Sequence, residues 1–154
     1  PTQSWPLDEV DRAEKQRIYN LDEYEIISEV LKQLDANSSN GTSVAIIAPY
    51  KHQVVMLRKL LQTEHLSNLD IIIDSVDGFQ GKECDVVIFS LTRTVGSFRF
   101  LADARRLNVA LSRARDKIII VGNLEYATKT SLLKAVSNAS KIHKYDSESG
   151  VMIE

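Results

Sequence analysis

The 154-residue chain, 44% apolar and 26% charged, has the length and balance of one folded domain, since domains run to about 100–200 residues. That composition excludes a disordered or collagen-like chain, no apolar run approaches the about 18 residues that a membrane span needs, and no charged-then-apolar leader opens the sequence. The net charge of −2 argues against a general nucleic-acid binder, yet it averages two unlike parts: from Arg99 to Lys117 six basic residues stand against two acidic ones, a local +4 that leaves −6 on the remainder.

Asn20 with Glu23 three residues on forms a capping-box pattern, and Tyr24, Ile27, Leu31 and Leu34 recur at helical spacing, which predicts a helix over about 21–35. Turn chemistry from Asn37 to Gly41 separates it from Ser43–Ala48, a short β-branched run of strand length closed by Pro49. Val54, Leu57 and Leu61 mark a second helix. Asp70–Asp74, Asp85–Ser90 and Lys117–Val121 read as further strands apolar on both faces. Strands without polar alternation need cover on both sides, which predicts an open, mostly parallel α/β sheet with helices on each face. Asp103 is placed to cap a helix carrying Leu107, Ala110, Leu111 and Ala114, and Asn123 to cap another from Leu124 to about Ser137. Residues 138–154 are polar and read as a tail or edge element, which leaves residues 1–137 as the domain.

In open α/β sheets ligands bind beyond the carboxyl ends of the strands, so three segments are expected there: Ala48–Gln53, Ser75–Glu83 and Arg105–Arg115. In the last, Arg106 and Arg113 lie seven residues apart, on one face of a helix, where they offer fixed forks to phosphate oxygens or form a solvated basic face. The second joins Gly78 and Gly81 to Gln80, Lys82 and Glu83. It is no Walker loop, because G-x-x-G-K-E precedes a strand where the phosphate loop follows one, and a plain turn fits it equally. Tyr50 and Gln53 offer a ring and an amide to a nucleotide, or serve packing. His52, His65 and His143 have no metal-ligand spacing, so no metal site is expected. The lone Cys84 allows no internal disulfide, which fits a reducing compartment. The carboxylates Asp70, Asp74, Asp77, Glu83 and Asp85 raise a metal-dependent nuclease, but Val87 stands where its lysine would be needed.

Together the three segments resemble the second RecA-like motor domain of superfamily 1 helicases, in the 5′-to-3′ branch of the RNA-surveillance helicase, senataxin and the immunoglobulin-mu-binding helicase. Ala48-Pro49-Tyr50 with Gln53 resembles motif IV, Ser75 to Asp85 motif V, and Arg105 to Arg115 motif VI, in order over about residues 5–125, with Glu14, Asn20 and Glu23 matching a further pattern upstream. The resemblance implies a RecA-like fold in which Arg113 reaches the γ-phosphate of ATP, Arg106 organises its motif and Gln80 links nucleotide to nucleic acid. It implies that Gly81, Lys82 and Glu83 meet the nucleotide, Glu83 at the ribose, with Tyr50 and Gln53 near the nucleotide cleft or the strand track, and that Ser75 and Asp77 face the single strand. Ser75 replaces the usual threonine, Arg12 a frequent glycine and Tyr24 a frequent alanine.

The Walker A loop and the acidic Mg²⁺ box of such motors are missing from this sequence and belong to the preceding, N-terminal RecA-like domain, which would hold ATP and Mg²⁺. Pro1, with no methionine, fits a piece of a longer protein. The expected whole is an ATP-dependent helicase or translocase on single-stranded DNA or RNA, intracellular, in cytoplasm, nucleus or bacterial nucleoid, with no membrane partner. This chain alone is expected to be inactive. The rival reading is a non-catalytic nucleic-acid-binding or interaction module of the same shape.

Overall fold

Asn20 starts the first helix as its sequence predicts. In the computed structural model, which describes residues 20–79, 81–92, 104–123, 125, 134, 138, 144–146 and 151–153, helix α1 spans Leu21–Asn37. Asn20 Oδ1 accepts from the Glu23 amide at 3.2 Å and its Nδ2 donates to the Glu23 carboxylate at 3.1 Å, a capping box closed through side chains. Strand β1 (Thr42–Ala48), helix α2 (Lys51–Leu61), strands β2 (Leu69–Ser75) and β3 (Cys84–Ser90), helix α3 (Ala104–Leu111) and strand β4 (Ala114–Val121) follow.

These four strands form one parallel sheet in the order β2-β1-β3-β4. On the central pair the two-residue period assigns alternate side chains to opposite layers. Val44, Ile46, Val86 and Ile88 pack with Ile27 and Leu31 of α1 and Leu57 and Leu61 of α2. Ala45, Ile47, Val87 and Phe89 point the other way, onto Val76, Phe79 and the Leu107, Ala110 and Leu111 stripe of α3. Both faces are therefore covered, as an all-parallel sheet requires, and the α/β, RecA-like expectation is met.

The flanking strands differ from expectation. Ile72 on β2 and Ile118 on β4 are each 46% exposed, so these strands are not buried on both faces. Each has one strand neighbour among the described residues, and an apolar run cannot itself distinguish a central strand from a flanking one. Beyond the main sheet, β5 (Lys144–Asp146) and β6 (Val151–Ile153) pair antiparallel with each other. Glu125, Lys134 and Asn138 are helical. The expected cap at Asp103 and most of the helix after Asn123 lie outside the described residues.

Candidate functional site

The strand registers divide the candidate residues between the two ends of the sheet. Ala48 pairs with Ser75 at the carboxyl edge, whereas Val44 pairs with Val86, which sets Cys84 level with Thr42 at the amino edge. The segment Val76–Glu83 therefore runs back along the sheet, about 20 Å at ~3.3 Å per strand residue, and Val76 and Phe79 anchor it in the core beneath α3. The expectation that all three segments lie at carboxyl ends is thus corrected. Tyr50, Gln53, Ser75 and Asp77 are at that edge, while Gly81, Lys82, Glu83 and Arg113 are at the amino ends of β3 and β4. A parallel connection without a helix has to return across the sheet, and in sequence it looks like a turn.

At the amino edge Gly81 takes φ +82°, a left-handed conformation that only glycine adopts without strain, and leads into exposed Lys82 and Glu83. The Cys84 amide donates to the Arg113 carbonyl at 3.1 Å, which brings motif V against motif VI. Arg113 is not on the helical face expected of it. Helix α3 ends at Leu111, Ser112 and Arg113 form the turn into β4, and the Arg113 amide closes that turn on Ala110 O at 3.4 Å. The seven-residue spacing to Arg106 therefore does not set a shared face. Arg106 lies on α3, with its side chain outside the described residues, as is Gln80. The Arg113 Nε–H is buried and has no hydrogen-bond partner among the described residues, a condition that costs about 1–3 kcal/mol unless an acceptor meets it.

Arg115 completes this edge. Its Nε donates to Asp85 Oδ1 at 3.2 Å and its Nη1 lies 3.7 Å from Glu83 Oε2. Asp85 Oδ2 in turn accepts from the amide and hydroxyl of Ser43 at 2.9 and 3.1 Å, and the Asp85 amide donates back to the Ser43 hydroxyl at 2.8 Å. The Ser43 amide foremost, then Arg115, holds the Asp85 carboxyl below the usual carboxylate range. Burial pushes the Cys84 thiol up, so it stays neutral and donates to Val86 O at 3.2 Å. Arg113, joined through its backbone carbonyl to Cys84, thus follows directly on the loop that carries the exposed Glu83, and a guanidinium and a carboxylate on one edge offer groups to phosphate oxygens and to hydroxyls respectively. Among the described residues no group of three or more metal-ligating side chains comes together.

At the carboxyl edge Ser75 Oγ accepts from the Gly78 amide at 3.1 Å, which leaves its own proton to donate outward. A Cβ on Gly78 would overlap the Asp74 carboxylate, which would have to move aside for any larger residue in this turn. Asp77 lies exposed in this turn. Tyr50 is only 4% exposed and Gln53 is fully buried. The Gln53 amide is spent inside the protein: its oxygen accepts from the Asn20 amide at 2.7 Å and its nitrogen donates to Ser90 Oγ at 3.0 Å. Both residues are thus buried at the edge that carries Ser75 and Asp77, opposite Glu83.

Gln53 belongs to a polar cluster that ties α1, α2 and the end of β3. Ser90 Oγ donates to Glu23 Oε1 at 2.6 Å, and the Thr92 amide donates to the same oxygen at 2.9 Å. Thr92 has φ +70°, a strained conformation for a β-branched residue, and its carbonyl accepts from Asn20 Nδ2 at 3.1 Å. Burial pushes the Glu23 carboxyl up to about 7, against the opposing donors Ser90 and Thr92 and with help from neighbouring Asp22.

Comparison with known proteins identifies the domain: the AAA domain family matches residues 5–125. The chain belongs to that family. It is 44% identical over 109 residues to the DNA polymerase alpha-associated DNA helicase A of Saccharomyces cerevisiae, covering 70% of this chain and 16% of that protein. It is 40% identical over 125 residues to an ATP-dependent helicase of Methanocaldococcus jannaschii, covering 80% of this chain and 18% of that protein. To helicase sen1 of Schizosaccharomyces pombe it is 38% identical over 117 residues, covering 70% of this chain and 7% of that protein. It is a superfamily 1 helicase domain of the senataxin type, and it spans less than a fifth of each of these relatives.

In this helicase domain the residues that sequence reasoning missed are Arg115 with its anchors Asp85 and Ser43, and the buried Glu23 cluster. A charged residue at the start of an otherwise apolar strand, as at Asp85, was the available signal for the first. Nothing in the sequence distinguishes Glu23 as buried, since an N-terminal helical Glu is ordinarily a solvated cap. Among the described residues no helix is long and apolar enough to cross a membrane.

Proposed function

We propose that this helicase domain is the second lobe of an ATP-driven motor on single-stranded nucleic acid, with residues 1–137 as the lobe and 138–154 as an appended element. The observation that carries the reading is Arg113, whose buried Nε–H has no partner among the described residues and whose backbone is bonded beside Glu83. When the preceding lobe closes on this edge, the guanidinium meets the charge that develops on the transferred phosphoryl group. Gly81 lets the backbone approach, Lys82 supplies a positive charge, and Glu83 accepts hydroxyl protons from the ribose. Arg106 organises the motif around Arg113. ATP when bound supplies the phosphoanhydride whose hydrolysis drives movement, and Mg²⁺ is assigned with it to the preceding lobe, where the family resemblance puts the acidic box.

At the other edge Ser75 donates to a backbone phosphate, next to Asp77. Residues 76–83 connect the two edges directly, so Gln80 within them is proposed as the link between nucleotide and strand. Backbone recognition serves DNA and RNA alike and weakens with salt. The compartment that follows is intracellular. The test is ATP turnover by the full-length protein with and without single-stranded DNA or RNA, beside this chain alone. Strand-stimulated turnover by the whole and none by the piece supports the reading; a full-length protein inert with every strand leaves the non-catalytic module.

A further inference from the structure

Glu83 projects from a loop with its side chain 64% exposed, yet it faces a guanidinium that is itself held in place. Arg115 offers two prongs of one planar fork. The Nε prong is bonded at 3.2 Å to Asp85, and Asp85 is fixed by three hydrogen bonds with Ser43 of β1. The bonded prong restricts where the guanidinium can go, and its Nη1 lies 3.7 Å from Glu83 Oε2, at ion-pair distance. An ion pair this exposed adds little to stability, so its consequence is orientation: a carboxylate ordered before binding loses less freedom when a ligand arrives.

We propose that Arg115 is a positioning residue, anchored through Asp85 on Ser43, that sets the Glu83 carboxylate for the ribose hydroxyls of the nucleotide. The proposal rests on the amino edge being the nucleotide site. It places the sugar-reading element on three strands of the sheet, where the loop bearing Glu83 alone would leave it mobile. Lysine cannot replace this fork, because a single ammonium cannot hold Asp85 and aim a second donor in one plane.

The experiment compares KM and kcat for ATP, 2′-deoxy-ATP and 3′-deoxy-ATP in the full-length protein and in its Glu83→Gln, Arg115→Ala and Arg115→Lys forms. The unsubstituted protein is expected to prefer ATP over at least one deoxy analogue, and Glu83→Gln, which keeps one acceptor oxygen but neither the charge nor the pull of Arg115, to narrow that preference. Arg115→Ala should raise KM for ATP about threefold to tenfold, as one hydrogen bond is worth. Its KM for the less favoured analogue should stay unchanged and its kcat hold within about twofold. Arg115→Lys, which retains charge and fold, should show the same loss, and the Glu83→Gln/Arg115→Ala pair should be no worse than Glu83→Gln. Equal KM increases for ATP and both analogues, retained discrimination in Arg115→Ala, or full rescue by lysine overturns the proposal. Absence of any sugar preference in the unsubstituted protein removes the ribose assignment of Glu83, and this proposal with it.

Discussion

Replacing Glu23 by glutamine should change the pH dependence of stability. The carboxyl is buried and pushed from its ordinary 4.5 to about 7. Because the folded state holds the proton more tightly, stability is fully present below the unfolded value and is lost as pH rises through the folded one. At ~1.36 kcal/mol per pH unit, the span from the ordinary to the raised value corresponds to about 3 kcal/mol when fully developed, of which about 2.5 kcal/mol falls between pH 5 and 8.5. Glutamine carries no charge and keeps an oxygen for Ser90 and the Thr92 amide. Its nitrogen meets the Asn20 Nδ2 donor, a cost of about 1 kcal/mol that does not vary with pH. Urea denaturation should therefore find Glu23→Gln slightly less stable than the unsubstituted chain at pH 5 and more stable at pH 8.5. The shifted Asp85 and Cys84 titrate outside this window and are common to both proteins. Parallel stability curves for the two proteins would refute the assignment of a buried, proton-holding Glu23.

Gln53→Leu should cost about 2–3 kcal/mol, since it leaves the Asn20 amide without its acceptor and Ser90 without a donor; a raised KM for ATP at undiminished stability would return Gln53 to the nucleotide site. Gly81→Ala should destabilise by about 1–2 kcal/mol, measured by thermal melting, because alanine is strained at φ +82°. An unchanged melting temperature contradicts that conformation. Ser75→Ala should weaken the single-strand concentration dependence of ATP turnover in the full-length protein about threefold to tenfold. No change at any salt concentration would remove Ser75 from the track.

The parts of this domain legible in sequence are those fixed by local chemistry. Asn20 and Glu23 mark the start of α1 because a cap is a four-residue event, and β1 and β3 betray two-sided burial by the unbroken apolar runs Val44–Ala48 and Val86–Phe89. What was hidden depends on register and on which strands lie outermost. An apolar run such as that around Ile72 or Ile118 reads the same in either position. Nothing in the spacing of Ser75 and Glu83 says that one stands about 20 Å from the other across the sheet. Arg113 was singled out for the right edge of its motif but placed on the helix, since the turn after Leu111 carries no glycine or proline to announce it. The engagement of Gln53 with Asn20 and Ser90 joins residues far apart in sequence, and no local pattern encodes it.

Arg113 is the residue on which the proposed motor depends most directly. In the full-length protein with a saturating single strand, Arg113→Ala should lower the rate of ATP hydrolysis by about 10³-fold or more while leaving the fold and nucleotide binding in place. Turnover by a correctly folded Arg113→Ala protein at the unsubstituted rate would contradict the claim that this edge completes the motor's catalytic site.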